Sequence, residues 1–370
     1  MVRSNYIEPD SRVEKEANSL AEQGHEVTLI GWNRSANYWV REDKKVLKDN
    51  TVYRVSFGAK AAFGAGMKSL PAYLKFQISL FVWLIKNRKK YDICHLCDFD
   101  TAFTGSHACI FTHKKFVFDI FDYLSTDANG FFRKWIKKLE DNIIDRADAT
   151  IICTEQRREQ IKGTRPKNLT IIHNSPNKIS VEEKETLVNE GKVRIAYIGI
   201  LQDYRLLKEM VHAVAAMPEV ELHIGGFGKY EDFMSRAAET YSNIHFYGKL
   251  SYKDTLKLEQ SCNILTAIYD PKIGNHRYAA PNKFYESLML GKPVIMVKDT
   301  GMADVVEKES IGEVIEYTEE AFKTAVKSLI VKRTQWEEMG VRMKRIYEER
   351  YSWTEMEKRL LNLYEIVISS

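Results

Sequence analysis

Residues 280–295 read APNKFYESLMLGKPVI, and this stretch decides the fold of the chain. The pattern predicts a loop, a short helix over 282–290, a Gly-Lys-Pro stop and a buried strand over 293–297. Lys283 and Glu286 stand three residues apart, so they share one face of that helix. The start of a helix also attracts anions. This face therefore suits a ligand that carries a phosphate and a sugar hydroxyl, such as a nucleotide-sugar.

The same alternation of helices and buried strands extends to both sides of this stretch. One series of alternating elements runs to about residue 176, and a second series begins at residue 193. The segment 177–192 between them is polar and lacks an apolar period, which is typical of a linker. The predicted fold class is α/β, with two Rossmann-like doubly wound domains facing a central cleft. We place the first domain at 1–176 and the second at 193–350.

Composition and charge exclude several classes of protein. At 370 residues the chain is long for one core, and its net charge of +4 does not indicate nucleic-acid binding. The polar, charged N-terminus does not resemble a signal peptide, and the longest apolar run, 76–85, is too short to span a bilayer. The five cysteines lie mostly in apolar runs, which favours reduced thiols in a core over a metal or redox site. We therefore expect a cytoplasmic protein.

Several ordered motifs resemble glycosyltransferase family 4, which has the GT-B fold. Their order and spacing carry the resemblance, which covers nearly the whole chain. The motifs of the second block are YIGIL at 197–201 with Arg205, IGGFG at 224–228, FYGKL at 246–250, and PNK at 281–283 with Glu286 and GKPVI at 291–295. The other motifs are RVEKE at 12–16, GHEVT at 24–28, YDICH at 91–95 and YSW at 351–353.

The resemblance implies transfer of a sugar from a nucleoside-diphosphate-sugar, with retention at the anomeric carbon, in polysaccharide or lipopolysaccharide assembly. The leaving diphosphate gains charge, and side chains with a helix N-terminus can stabilise it without a metal or other cofactor. The resemblance assigns Arg205 and Lys283 to the diphosphate and Glu286 to the ribose. The full donor-binding set is Arg205, Lys283, Glu286, Asn282, Gly199, Gly226, Gly248 and Lys249.

In the first domain the resemblance points to carboxylates at the ends of strands. Asp122 or Asp119 would face the donor or acceptor as catalytic residues. Arg12, Asp98 and Asp100 would lie at the acceptor side or in the N-terminal loop. In this fold the last helix, here predicted over 355–370, crosses back onto the N-terminal domain.

Four positions depart from the family pattern. Tyr278 replaces the upstream glutamate of a pair, so Asn275, His276 or Arg277 would contact the donor sugar instead. Ile200 replaces an arginine after the glycine turn. Residues 5–11 replace the glycine-rich loop after the first strand, and a histidine that relatives carry near residue 121 is absent. Two alternatives therefore stay open: a nucleotide-sugar epimerase of the same fold, or a degenerate member that only binds a nucleotide or a partner.

Basic and apolar residues interleave along the helices 70–86 and 131–147 and their flanks. This pattern suits peripheral docking on an anionic bilayer at the inner face of the plasma membrane, next to a saccharide or lipid-linked acceptor. The alternative is a helix packed on its own domain with a solvated basic face. The residues are Lys60, Lys68, Lys75, Lys86, Arg88, Lys89, Lys90, Arg133, Lys134, Lys137 and Lys138, with Phe63, Met67, Leu70, Tyr73, Leu74, Phe76, Phe81, Phe131, Phe132 and Trp135.

Overall fold

A computed structural model describes residues 1–61, 66–127, 130–176 and 191–370. The chain divides into two compact units, one of Met1–Ile172 with Met356–Ser370 and one of His173–Glu355. Each unit is a parallel-sheet, Rossmann-like α/β domain, as the fold class predicted. Most of the predicted linker, residues 177–190, lies outside the described residues, as does Phe63 of the interleaved basic segment.

The first unit is built on a sheet with the strand order β3-β4-β2-β1-β5-β6-β7-β8 over the described residues. All pairs are parallel except β3–β4. The strands are β1 Val2–Arg3, β2 Thr28–Asn33, β3 Tyr38–Val46, β4 Thr51–Gly58, β5 Ile93–Cys97, β6 Lys115–Ile120, β7 Ala149–Ile152 and β8 Leu169–Ile171. The helices are α1 Ser11–Glu22, α2 Leu70–Lys86, α3 Phe99–Thr112, α4 Leu124–Asp127 and α5 Gly130–Arg146, with 3-10 turns at Gly66–Ser69 and Glu155–Glu159.

The second unit is built on a sheet with the order β11-β10-β9-β12-β13-β14, parallel throughout the described pairs. The strands are β9 Val193–Ile200, β10 Val220–Phe227, β11 Ile244–Phe246, β12 Ile264–Ala267, β13 Val294–Val297 and β14 Gly312–Ile315. The helices are α6 Leu207–Ala215, α7 Glu231–Thr240, α8 Tyr252–Ser261, α9 Asn282–Leu290, α10 Ala303–Glu309, α11 Glu319–Val331 and α12 Trp336–Ile346. A π-helical turn, Tyr347–Tyr351, precedes α13, Trp353–Ser369.

Some predicted boundaries match the structure and others move for local reasons. The predicted helices 70–86 and 282–290 are confirmed residue for residue. The helix α1 begins at Ser11, and the Asp10 side chain accepts from the Val13 N–H as its N-cap. The first strand is short, yet its Val2 is fully buried between β2 and β5. A two-residue strand is enough here because both neighbours pair with it.

The last helix contributes its apolar face to the first unit from Met356 onward. Met356, Leu360 and Val367 are fully buried. The Tyr364 hydroxyl lies 2.9 Å from His95 Nδ1 in β5, and Lys115 Nζ donates to the Val367 carbonyl over 2.8 Å. The sheet of the first unit is therefore covered in part by a segment from far along the chain.

Two further features bear on the sequence-based expectations. All five cysteines are buried free thiols. Among residues 1–61, 66–127, 130–176 and 191–370, no helix is both long enough and apolar enough to cross a membrane.

Candidate functional site

Three predicted glycines meet where β9 and β10 end in the second unit. Gly199 and Gly226 are register partners in that strand pair, and the Gly226 N–H donates to the Gly248 carbonyl over 2.7 Å. A Cβ on Gly226 would lie 1.9 Å from the Gly199 oxygen, and Gly226 has a φ of +148°. Glycine is required there because a side chain would strike backbone. The bare backbone lies at the carboxyl ends of parallel strands, where such sheets bind ligands.

The predicted pair on α9 forms a buried cluster with a residue from the preceding helix. Lys283 Nζ lies 2.7 Å from Glu286 Oε2 and 2.7 Å from Glu259 Oε1 of α8. The Glu286 side chain is 2 % exposed and that of Glu259 is 1 % exposed. The spacing along α9 brings Lys283 and Glu286 together, and the packing of α8 on α9 adds Glu259. We call Glu259, Lys283 and Glu286 the acid–lysine triad.

Burial sets the charge of the acid–lysine triad. Burial, together with the nearby Glu286 carboxylate, raises the pKa of Glu259 to about 8, although Lys283 opposes this. Burial also lowers the pKa of Lys283, but the two carboxyl groups more than offset it and the pKa ends above its ordinary value. At neutral pH Glu259 therefore keeps its proton, and Lys283 and Glu286 form an ion pair.

This arrangement differs from the predicted roles of Lys283 and Glu286. In the structure the Lys283 ammonium contacts the carboxyl groups of Glu259 and Glu286. Glu286 is buried rather than presented to a ribose. The physical reason is that the same spacing which puts the two residues on one helix face also lets them pair with each other. Their contact with a donor remains a prediction.

Arg205 is a partly exposed cation in the same unit. Its guanidinium lies 4.0 Å from the centre of the Tyr269 ring, and Nη1 lies 3.1 Å from His276 Nε2. His276 Nδ1 lies 2.9 Å from the Asp270 carbonyl oxygen, so the proton belongs on Nδ1 and Nε2 accepts from Arg205. His276 is one of the three residues proposed to replace the missing glutamate, and it lies beside the predicted diphosphate cation.

The remaining predicted donor residues lie in different surroundings. Asn282 and Lys249 are exposed, and the Lys249 ammonium lies 5.1 Å from the centre of the Phe227 ring. Asn275 is buried, whereas Arg277 is exposed. The structure thus groups Gly199, Gly226 and Gly248 at one place and pairs Arg205 with His276.

In the first unit, Arg12 and Asp119 belong to a buried network rather than to an open surface. Arg12 Nη2 donates to Asp119 Oδ1 over 2.6 Å, and its Nε donates to Glu16 Oε1 over 3.1 Å. His95 Nε2 lies 3.4 Å from Asp119 Oδ2. Arg12 is 5 % exposed and Asp119 is fully buried. Burial, with Asp119 next, raises the pKa of Glu16 to about 8. The expectation that Arg12 and Asp119 reach a substrate conflicts with this burial.

Asp98 braces the loop that follows β6. Its Oδ1 accepts from the N–H groups of Phe121 and Asp122, over 2.8 and 3.0 Å, and its Oδ2 pairs with Arg3. Burial raises the pKa of Asp98 to about 6. Asp98 therefore fixes the backbone at Asp122 instead of presenting a free carboxylate to an acceptor. Burial also raises the pKa of Asp100, the third acceptor-side prediction.

Asp122 is the predicted carboxylate that reaches solvent. Its side chain is 72 % exposed, and Oδ1 accepts from Nη2 of the buried Arg157 over 3.0 Å. The loop held by Asp98 and the guanidinium of Arg157 thus fix an exposed carboxylate at the carboxyl end of β6.

Three side chains near these sites were missed by the sequence analysis: Glu259, Arg157 and Arg3. Glu259 lies on an amphipathic helix, where a glutamate ordinarily faces solvent. Arg157 lies in a 3-10 turn after β7, with Nε 2.8 Å from Cys153 Sγ. Of the three, only Arg3 had a sequence signal, because a charged residue at the end of the first strand is a candidate site residue.

Comparison with solved structures shows the same fold. Sucrose-phosphate synthase from Thermosynechococcus elongatus superimposes with a TM-score of 0.76 at 14 % identity, covering 97 % of this chain and 93 % of that one. HepE from Anabaena, in complex with UDP and glucose, gives 0.71 at 13 % identity, with 98 % of each chain covered. The lipopolysaccharide outer core galactosyltransferase WaaB, in its apo form, gives 0.66 at 16 % identity, with 98 % of each chain covered.

Family models match both halves of the sequence. Residues 11–176 match the model described as Glycosyltransferase Family 4, and residues 179–349 match Glycosyl transferases group 1. The chain belongs to the GT-B glycosyltransferases. No curated protein matches the sequence. In this glycosyltransferase the glycine cluster and the acid–lysine triad lie in the group 1 half, and the Arg12–Asp119 network lies in the family 4 half.

Proposed function

We propose that this glycosyltransferase moves a sugar from a nucleoside diphosphate to a saccharide or lipid-linked saccharide, with retention at the anomeric carbon, in polysaccharide or lipopolysaccharide assembly. The observation that carries the donor class is the bare backbone at Gly226, where a Cβ would lie 1.9 Å from the Gly199 oxygen. Gly226 lies at the carboxyl end of β10, the edge at which a Rossmann-like sheet receives a nucleotide. Two structures with the same fold, HepE with UDP-glucose and HepE with UDP, support this donor class.

The diphosphate is placed at Arg205 and the start of α9. The first N–H groups of a helix lack partners within the helix and carry partial positive charge. Pro281 at the N-cap has no side-chain group that could satisfy them, and the exposed Asn282 opens the helix. Arg205 adds a full positive charge in the same unit. Together these groups stabilise the charge on the leaving diphosphate, so we propose that transfer needs no metal ion.

The acid–lysine triad stabilises the start of α9, where the diphosphate is proposed to bind. It holds the first turn of α9 through two contacts of 2.7 Å to Lys283. With Glu259 protonated the triad is neutral, whereas with Glu259 ionised it would carry one negative charge beside the diphosphate. Protonation of Glu259 therefore favours donor binding. We also propose that Glu286 contacts the ribose only when its ion pair with Lys283 is broken.

On the first unit we propose Asp122 as the carboxylate that faces the reacting sugars. It is exposed, and both Asp98 and Arg157 fix its position. Asp119 is fully buried and bound by Arg12, so we propose that it holds Arg12 in place rather than contacting a sugar.

Nucleotide binding is tested with Arg205→Ala. A thermal-shift series with UDP, GDP and other nucleoside diphosphates should raise the melting temperature of the wild-type chain, because a ligand at 100 times its Kd adds ~2.7 kcal/mol of stability. The shift should fall in Arg205→Ala and persist in Arg236→Ala, an exposed arginine on α7. A chain that no nucleoside diphosphate stabilises would refute the proposed donor class.

Transfer and its stereochemistry need separate measurements. Hydrolysis of the nucleotide-sugar in the presence of EDTA should release the sugar with its anomeric configuration kept, as read by proton NMR. Conversion of the donor into its epimer would support the epimerase alternative. Binding without turnover under any acceptor would support a nucleotide-binding scaffold.

We also propose that the first unit docks on an anionic membrane through α2, α3 and α5. Four apolar side chains of α2, spaced by four, four and three residues, are at least 39 % exposed: Leu70, Leu74, Ile78 and Phe81. Exposed aromatic and apolar groups follow on the two neighbouring helices: Phe103, Ile110, Phe111, Phe132 and Trp135. We call these nine residues the apolar face. On an ordinary protein surface exposed apolar residues are scattered singly, whereas these residues lie on neighbouring helices.

Exposed cations accompany the apolar face, as docking on an anionic surface requires. They are Lys86 at the end of α2, Arg88, Lys89 and Lys90 after it, and Arg133, Lys134 and Lys138 on α5. Lys75, expected among them, instead donates to Asn37 Oδ1 and the Gly58 carbonyl over 2.6 and 2.8 Å. The side chains of Met67 and Phe131, like Phe63, lie outside the described residues.

Vesicle sedimentation tests this docking. Wild-type protein should pellet with phosphatidylglycerol vesicles at low salt and be released as the salt concentration rises. The double variant Leu74→Ser/Ile78→Ser should remain in the supernatant. The control Val331→Ser removes an exposed valine of the second unit and should pellet like wild type. Failure of the wild type to pellet at low salt would eliminate the membrane proposal.

A further inference from the structure

A cluster of ligand-bearing side chains lies on the sheet of the second unit. Glu221 and His223 are two residues apart in β10, so their side chains share one face of the sheet. His245 of β11 is the register partner of His223, and their rings stack with centroids 4.7 Å apart. We call Glu221, His223 and His245 the strand-face triad. We propose that the strand-face triad binds a divalent transition-metal ion, with Zn²⁺ as the best fit.

Unsatisfied nitrogen atoms carry this inference. Within the described part of the chain, Nε2 of His245 is buried and lacks a hydrogen-bond partner. Nε2 of His223 is likewise buried, and Glu221 Oε2 lies 3.4 Å from it. His223 is 4 % exposed, so its nitrogen is shielded from bulk water. A buried polar atom without a partner is costly and requires an explanation. Coordination to one shared ion would satisfy both nitrogens at once.

The second ring nitrogen of His223 has an oxygen partner. His223 Nδ1 lies 2.8 Å from the Tyr247 hydroxyl. With the proton on Nδ1 and donated to Tyr247, the lone pair is on Nε2. This is the arrangement in which an oxygen partner orients a metal-binding histidine.

The donor set selects the class of ion. Two imidazole nitrogens and one carboxylate oxygen suit Zn²⁺ and its neighbours, whereas Mg²⁺ and Ca²⁺ prefer oxygen ligands only. The candidate ligand atoms lie within 4.8 Å of one another. Ligands about 2.1 Å from a tetrahedral ion are roughly 3.4 Å apart, so the side chains close by about an ångström on binding. Three protein ligands leave the fourth position to water.

Two cations compete with the metal for the carboxylate. Glu221 Oε2 lies 3.3 Å from Arg194 Nε, and Oε1 lies 3.3 Å from Lys192 Nζ. Both oxygens of the carboxylate therefore already have cationic neighbours. A bound ion replaces Arg194 at Oε2, while Lys192 continues to orient Oε1.

The strand-face triad is separate from the proposed donor site. His223 precedes Gly226 by three residues, which is about 10 Å along a strand. His245 belongs to β11, an edge strand paired only with β10 among the described strands. An ion that joins β10 to β11 therefore stabilises the edge of the sheet. This inference does not depend on the proposed glycosyl transfer.

The test uses the full chain without a polyhistidine tag, after treatment with EDTA and removal of the chelator. Isothermal titration with ZnCl₂ measures stoichiometry and affinity, and Co²⁺ absorption reports the ligand environment. The variants are His223→Ala and His245→Ala, with His212→Ala as the control. His212 is an exposed histidine of α6 with a distant contact to Glu319. Far-UV circular dichroism checks that each variant is folded.

We expect one equivalent of Zn²⁺ to bind and to raise the melting temperature of the wild type and of His212→Ala. Both triad variants should lose at least the ~10–100-fold in affinity that even outer-shell partners of a metal contribute. The partly exposed His245 position keeps the test valid if His223→Ala does not fold. Absence of stoichiometric binding to the wild type, or equal binding by folded His245→Ala, would overturn the inference.

Discussion

Replacing Glu259 by glutamine should change how the stability of the protein depends on pH. Glu259 lies fully buried beside Lys283 and Glu286, and burial raises its pKa from 4.5 to about 8. Between these values the unfolded chain has lost the proton while the folded chain keeps it. Stability contributed by the protonated group is therefore complete below pH 4.5 and is lost as the pH rises to about 8.

The magnitude follows from the size of that interval. Each pH unit inside it costs the wild type about 1.4 kcal/mol of unfolding free energy, or roughly 4 kcal/mol between pH 5 and pH 8. Glu259→Gln carries a neutral group at every pH and does not lose this energy. The unfolding free energy of Glu259→Gln minus that of the wild type should therefore rise by roughly 4 kcal/mol over the same range.

Urea unfolding at several pH values measures this difference. The second unit contains Trp336 and Trp353, whose fluorescence can follow its transition. Glu239→Gln, at an exposed site on α7, is the matched control and should show no change with pH relative to the wild type. If the difference between Glu259→Gln and the wild type stays constant from pH 5 to 8, then Glu259 is not the group that holds the proton.

Two further predictions concern stability. Gly226→Ala should destabilise the second unit by more than the ~1–3 kcal/mol of backbone strain, because its Cβ also strikes the Gly199 oxygen. Gly248→Ala, at a φ of +64° with open space among the described residues, should cost less in the same urea assay. Arg12→Met should lower the unfolding free energy by about 3–5 kcal/mol, because it leaves the Asp119 carboxylate buried without its cation. The double variant Arg12→Met/Asp119→Leu should recover most of that loss in thermal unfolding. An Arg12→Met protein as stable as the wild type would contradict the network.

The pattern of buried strands was sufficient to predict the fold class, but it missed elements that lack a clear period. The strand β3 is an antiparallel edge strand with no fully buried residue. Because neither face is buried, its sequence lacks the alternation of apolar and polar residues that predicts a strand. The helix α3 is apolar around much of its circumference, and its Gly105 packs against Leu96. Such a helix cannot be told from buried strand by periodicity alone. The helices α10, α11 and α12 and the strand β14 were also not assigned.

The candidate site was predictable where neighbours in sequence meet and unpredictable where packing brings distant residues together. The three-residue spacing of Lys283 and Glu286 was visible, and the structure does bring them together. Glu259 comes from another helix, so its contact with Lys283 depends on how α8 packs. Similarly, Asp119 was expected at a strand end within reach of a ligand, but Arg12 from α1 covers it.

The order in which the chain leaves the ribosome matters for the first unit, because the segment from Met356 fills a part of it. Residues 1–172 are synthesised first, and the apolar surface that receives Met356, Leu360 and Val367 stays open to water until those residues have followed. During that interval the nascent chain exposes apolar surface that the finished unit buries. A chain truncated after residue 172 should expose the same apolar surface and precipitate on expression.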